Sequence, residues 1–455
     1  MTTTAQTQTA LPQQVARMDQ PRMAAYRENL EFYNGRQWPA RPRRRERQLT
    51  FNYARVLVDK LTSYLMSGIT LDVEPADDSP EGRERARRAE SDLRAVYDAN
   101  ALESLDFETE LDAAILGDGC YKVTWDAEEQ RVRVTAPDAQ GLYAWWAGDD
   151  VSRVWRVASR YRLPSEEAAA LYGVSPNRFG PSTGSGSSGS AHAREVTVVE
   201  AWTADSFELW LDNEVVERRA NPCGFIPFVI FPNLRQPKQF WGASDIPPLI
   251  EPSRELNRAM SQLSTILELS GNPIAVLENV EESQDIAVQP GAVWEIPERA
   301  RAYLLDLLQG GGVNLHADYI DLLYRTLHDV SEAPRTAFGD NRQGLSGVAL
   351  EMELHPLLQK VRRKRLVRSA VYRRRAQMAL RLLERHTGAR YGDVRVKVTW
   401  GPVLPQDRGR LVSDEEALVR AGLHSRRTAM SALGVEDPEG ELARVREEGG
   451  AGVGG

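Results

Sequence analysis

The densest cationic chemistry in the sequence lies in one acid-free run. Lys360, Arg362, Arg363, Lys364, Arg365, Arg368, Arg373, Arg374 and Arg375 follow one another with no acid between Lys360 and Arg375. A guanidinium is a rigid planar fork that matches carboxylate or phosphate with paired hydrogen bonds. Like charges at helical spacing repel one another, so the run requires anions nearby. Two readings supply them. One is pairing between subunits with acidic helices, such as the stretches 77–90 or 98–112. The other is contact with nucleic-acid phosphate. The residues singled out on either reading are Lys360, Arg363, Lys364, Arg368 and Arg374. Charge spread all round a helix cannot all face one ligand.

Motifs that would carry catalysis are missing. No lysine follows a glycine, so the phosphate-cradling G-x-x-x-x-G-K-[ST] loop is absent. The six histidines, His192, His316, His328, His355, His386 and His424, include no pair at the spacing that sets two ligands on one helix face. A loose G-x-S-x-G run at 184–189 sits in a low-complexity segment without the strand-turn-helix context of a nucleophile elbow. Gly117-Asp118-Gly119-Cys120 precedes a strand, the wrong order for a dinucleotide fingerprint. No catalytic, cofactor-binding or metal-ligating residue is assigned, and no cofactor is expected. An enzyme with an unrecognised site is the weaker hypothesis; it would show turnover and a buried, perturbed titratable cluster.

Composition bounds the remaining classes. A chain of 455 residues exceeds one small core and implies roughly two to four domains or subdomains. With 57 basic and 65 acidic residues the net charge is −8, so the chain as a whole is no general polyanion binder. Lysine occurs only at 60, 122, 238, 360, 364 and 397, and a GC-rich coding genome explains that skew towards arginine. Cys120 and Cys223 alone cannot build a disulfide scaffold or a four-cysteine zinc module. No apolar run approaches the ~20 residues of a bilayer-spanning helix, and residues 1–20 lack the apolar core of a secretory signal. No membrane partner is expected.

These residues must be held by a mixed set of elements. Residues 1–20 read as a disordered arm. A helix spans 22–34, a basic loop 41–47, and an apolar helix 52–67 that should be buried on most sides. A charged helix at 83–97 presents mostly a solvated face. Alternation at Tyr121, Val123 and Trp125 and at Val132 and Val134 reads as a hairpin, with further strands at 154–162, 196–202, 207–211 and 215–218. The Ser/Gly stretch 181–190 has nothing to bury and reads as a flexible loop. Helical period returns with Leu256, Met260, Leu263 and Leu267 up to Gly271. Short strands at 274–277 and 293–296 follow, then a helix from an N-cap at Asn314. The longest helix runs over 346–386 with Pro356 inside it, which should kink it. A strand at 394–398 and short helices at 415–420 and 425–433 close the chain before a Gly-rich tail. The fold class is α+β.

Several of these pieces, in this order, resemble one family. They are Phe32-Tyr33-Asn34-Gly35 with Gln37, the helix after Asn52, Pro290-Gly291-Ala292-Val293-Trp294, and Ser331-Glu332-Ala333-Pro334. Leu345-Ser346-Gly347-Val348-Ala349-Leu350 then opens the long basic helix, and Trp400-Gly401-Pro402 comes late. The chain resembles the portal proteins of tailed bacteriophages, of the type found in Bacillus siphophages. That resemblance implies a subunit with a helical stem, a small α/β clip, a strand-rich wing and a helical crown. The wing would span 21–244, the first stem helix 245–270, the clip 271–313 and the second stem helix 314–332. A tunnel loop would occupy 333–345, the long kinked helix and a wing strand 346–403, and the crown with a flexible tail 404–455. It further implies a ring, usually dodecameric, at one capsid vertex, through which double-stranded DNA is packaged and ejected. The implied partners are terminase, major capsid and scaffolding proteins and a head-completion adaptor, with assembly in the host cytoplasm and residence in the virion. The implied DNA-facing side chains are Arg335, Phe338, Asn341, Arg342 and Gln343. The alternative is a nucleic-acid-binding regulatory protein that uses the Arg-rich helix 360–375.

Overall fold

The computed structural model describes residues 10–39, 47–175, 194–271, 274–278, 301–305, 312–340, 347–404, 408–435 and 437–451. The Ser/Gly segment 181–190, the expected strand 293–296, most of 271–313, and Asn341, Arg342 and Gln343 lie outside the described residues. Two compact units divide the chain: residues 1–66 with 71–399, and residues 67–70 with 400–455.

The larger unit is α+β, with its strands in antiparallel sheets. Helices α1 (Leu11–Arg17) and α2 (Gln20–Tyr33) open the described chain. The disordered arm expected over 1–20 is therefore corrected for its second half. Leu11 and Val15 are buried against Tyr143, Ala158, Val199 and Ala201 on one face of a sheet. Burial of each such side chain contributes about 1.5–3 kcal/mol, enough to order a short polar segment. Helix α3 (Tyr53–Leu65) starts where the Asn52 side chain accepts from the Arg55 N–H. It buries Ala54, Leu57, Val58, Leu61 and Leu65 but leaves Val56 51% exposed, so it is buried on one face and not on most sides. Strand β1 (Ile69–Pro75) leads into α4 (Pro80–Ala99), whose charged exterior is underlain by buried Ala86, Ala89, Leu93 and Val96. Helix α5 (Leu102–Leu116) covers most of the acidic helical stretch expected at 98–112 and runs on to Leu116.

The hairpin is present as β2 (Asp118–Asp126) and β3 (Arg131–Thr135), with Val123 opposite Val134 and Trp125 opposite Val132. Next come β4 (Leu142–Ala147), β5 (Asp150–Pro164), α6 (Ser165–Tyr172), β6 (Glu195–Trp202), β7 (Ser206–Leu211), β8 (Glu214–Ala220) and β9 (Phe228–Pro232). Strands β4 to β8 form a meander in sequence order, and β9 joins the hairpin in the order β3-β2-β9. The pleat sends neighbouring residues to opposite faces. Val157 and Val198 therefore join the core beneath α6, while Ala158 and Val199 meet α1.

Helix α7 (Pro247–Gly271) packs along α8 (Gly312–Ser331). The latter begins before Asn314, which is thus inside the helix and not its cap. Between them β10 (Ile274–Glu278) pairs with β11 (Arg301–Leu305), so the partner strand lies beyond the expected 293–296. Helix α9 (Gly347–Thr387) is the longest element and contains Pro356, and β12 (Val394–Trp400) returns to pair with β1.

The smaller unit holds α10 (Arg408–Arg420), α11 (Arg426–Ala432) and α12 (Pro438–Ala451). Its ties are the His424 ring to Glu415 at 2.8 Å and Arg427 to Glu439 at 2.7 Å. The final helix is not among the elements read from the sequence.

Candidate functional site

The junction between α8 and α9 is built on a reversal of chain direction. Glu332 takes a left-handed backbone conformation, φ 57°, directly after α8. Pro334 then starts a short 3-10 helix, Arg335–Phe338, which Gly339 ends at φ 89°. His328, on the last turn of α8, faces this turn with its Nδ1 2.7 Å from the Ala333 carbonyl. Burial lowers the His328 pKa, so the ring is neutral at pH 7 and its Nδ1–H donates. The ring also stands edge-on to Tyr324 at 4.7 Å and to Phe338 at 5.1 Å. Tyr64 of α3 donates to the Ala337 carbonyl, and Lys360 of α9 donates to the Ser331 carbonyl.

Arg335 is half-buried and ion-paired to Asp321 at 3.1 Å and to Asp340 at 2.8 Å. Its guanidinium also lies over the Tyr324 ring, 4.9 Å from the centroid. Of the five side chains expected to face DNA, then, Arg335 and Phe338 both pack back on α8.

The basic run of α9 is resolved mostly inside the subunit. Lys360 and Lys364 reach the two oxygens of Asp245 at 2.8 and 2.5 Å. Arg368, with no exposed surface, grips Glu110 through Nε and Nη2 at 2.8–2.9 Å and donates through Nη1 to the carbonyls of Pro232 and Asn233. Arg375 is paired with Asp106, donates to the Tyr97 hydroxyl and lies 4.5 Å from the Tyr121 ring centroid. Arg363 meets Glu332 at 2.7 Å on a half-exposed surface. Arg374 is one of the residues that line a cleft.

Lys360, Lys364 and Arg368 therefore offer nothing to phosphate or to a neighbouring subunit, which corrects their assignment to either role. The acidic stretch 98–112 does supply partners, as expected, but from the same chain. Uncompensated buried charge is costly, so each inward cation needs a fixed acceptor. The two ammonium groups compete for one carboxylate. Burial, with the charges of Lys360 and Arg368, pulls Lys364 down to about 8 despite Asp245. The two lysines hold Asp245 well below the usual carboxylate range, against the opposing effect of its burial.

Sequence reasoning missed Asp245, Glu110 and Asp106 as individual residues. A signal was present: Asp106 and Glu110 share a helix face with Leu102 and Ala113, where a solvated acid has no place. Gln37 also has a defined post. It donates to Asn52 and accepts from Asn257 of α7, which ties the chain after α2 to the middle of α7.

Among the described residues there is no group of three or more His, Cys, Asp or Glu side chains that could hold a metal ion. Both cysteines are free and buried, and burial pushes the Cys120 thiol up. No described helix is long and apolar enough to cross a membrane. A family model described as "Phage portal protein, SPP1 Gp6-like" matches residues 18–453. No curated protein matches the chain.

Proposed function

The chain belongs to the SPP1 Gp6-like phage portal protein family, and we propose that its rings form the conduit through which DNA enters and leaves the capsid. As a member of that family it is a structural subunit of a ring oligomer in the virion. The finer assignments are inferences from that membership. Helices α7 and α8 serve as the stem, residues 271–313 as the clip that docks terminase and later the head-completion adaptor, the strand-rich region as the wing, and 404–455 as the crown. Major capsid and scaffolding proteins surround the ring, twelve copies make it, and it assembles in the host cytoplasm.

One observation carries this reading. Leu315, Tyr319 and Leu322 form a stripe along α8 and are 72%, 40% and 58% exposed in the single chain. A single soluble chain gains nothing by displaying such a stripe on a long helix, whereas a neighbouring copy in a ring would cover it. A second observation fits. Arg335 is neutralised by two carboxylates, and a conduit must not fix phosphates tightly, since each fixed contact resists translocation. The alternative of a regulator that reads nucleic acid through 360–375 loses its basis, because most of those cations are engaged inside the fold.

Electron microscopy of the purified chain tests the ring: closed rings with a central hole are expected, and monomers or dimers at all salt and protein concentrations would overturn the proposal. For the loop, Arg335→Ala with Arg342→Ala should leave ring size unchanged but alter DNA packaging or retention when it complements a portal-deleted phage. Full heads in normal yield would remove both arginines from the channel.

A further inference from the structure

Four arginines stand apart from the buried ion pairs. Arg374, Arg381 and Arg385 fall within about 40° of arc on α9 and span about 16 Å of its length. Arg235, from the segment after β9, joins Arg374 in lining a cleft of about 170 Å³. Val154, Val157, Phe228 and Ile230 are among that cleft's lining residues, and no carboxylate is. Arg385 reaches the Gly224 turn, where a guanidinium nitrogen lies 3.1 Å from the place a Cβ would occupy. All four side chains are exposed. Among the described residues none of the four has an ion-pair or hydrogen-bond partner.

On the same helix Lys360, Arg363, Lys364, Arg368 and Arg375 each meet a carboxylate, Arg365 donates to the Leu65 carbonyl, and Arg362 and Arg373, which lie on other arcs of the helix, complete its cations. A row of unneutralised guanidiniums on one arc needs an anion. The row stands in a chain of net charge −8, where acids outnumber bases.

We propose that Arg235, Arg374, Arg381 and Arg385 form a phosphate-binding face for the backbone of double-stranded DNA, distinct from the loop at 333–345. The face begins at Arg374, about 40 Å of helix beyond Gly347, whereas the loop lies before Gly347. A row of guanidiniums over about 16 Å matches a ligand with repeated charge. One strand of duplex DNA offers a phosphate about every 3.4 Å along its axis, so about five fall opposite the row. A single acidic side chain from another protein would satisfy one arginine and leave the rest unpaired; a neighbouring copy that presents several carboxylates is the rival occupant, and the ring measurement below tests it. Without base-reading groups, such contacts are independent of sequence. The inference rests on the portal reading only for the presence of DNA at this subunit.

The test uses purified full-length protein and a short duplex of mixed sequence, with binding followed by fluorescence anisotropy across about 50–200 mM salt. Arg374→Ala with Arg381→Ala should weaken binding roughly tenfold at the low-salt end and reduce the slope of log K against log salt by about two. A control, Arg426→Ala with Arg446→Ala, removes the same charge from the smaller unit and should change affinity less than about twofold. Unchanged affinity and slope in the first variant would overturn the proposal, as would an equal loss in the control. If the first variant lost its rings in electron micrographs while its subunits kept wild-type DNA affinity, the face would be a contact between copies, and the proposal would fall. If only Arg335→Ala with Arg342→Ala weakened binding, this face would be excluded while the conduit reading stood.

Discussion

Arg368 shows how much one residue can settle within a charged run. It spends its guanidinium on Glu110, Pro232 and Asn233, and so clamps α9 to α5 and to the end of β9. Glu110→Ala would leave a buried guanidinium without its counter-charge, and a loss of about 3–5 kcal/mol in denaturant unfolding is expected. Glu110→Gln, which keeps acceptor capacity, should lose less. Asp118 makes a different prediction. Burial pushes its carboxyl up to about 6, in spite of hydrogen bonds from the Tyr26 hydroxyl and the Gly242 N–H. Its folded pKa thus lies above its unfolded value near 4. The stability it contributes is full below about pH 4 and lost as pH rises through about 6. Asp118→Asn cannot titrate, so its stability relative to the wild type should rise by up to about 3 kcal/mol between pH 4 and 6 and then level off. Paired denaturation curves across that range decide the matter; a flat difference would mean that Asp118 is ionised throughout.

At the scale of elements, close approach and exposed faces decide what can change. A Cβ added at Gly242 would lie 2.4 Å from the Gly117 carbonyl oxygen and 2.7 Å from Pro232. Backbone must then move at the place where Asp245 is positioned for both lysines. Gly242→Ala should therefore cost more than about 2 kcal/mol by thermal or denaturant unfolding. Helix α8 makes the opposite prediction. Leu315→Asp with Leu322→Asp alters only exposed side chains, so the fold of the chain should survive with stability within about 1 kcal/mol. The rings should nevertheless dissociate, as light scattering or electron microscopy would register. Intact rings in that double variant would place the subunit contact elsewhere.

For the whole molecule, the sequence by itself determined class and order: helices around a strand-rich middle, two helices bracketing a small insert, and a long basic helix after a Gly-bearing connection. Those features follow from local rules. The alternation of Tyr121, Val123 and Trp125 has the period of a strand, and the stripe Leu256, Met260, Leu263 and Leu267 has that of a helix, whatever surrounds them. Their order also carried the likeness to phage portals that the family match shows. What stayed illegible was set by partners distant in the chain. Helix α5 was legible as an acidic helix, but two of its acids lie on the buried face among apolar residues, and only Arg368 and Arg375 of α9 show that Glu110 and Asp106 point inward. Helix α1 reads as a polar arm until the sheet that covers Leu11 and Val15 exists. The charge run gave the same signal for phosphate, for a neighbouring subunit and for an internal clamp, because a guanidinium binds any of these anions with the same fork. Only the tertiary structure, by placing carboxylates more than a hundred residues away within hydrogen-bond distance, divided the cations into those already neutralised and those still free to meet a partner.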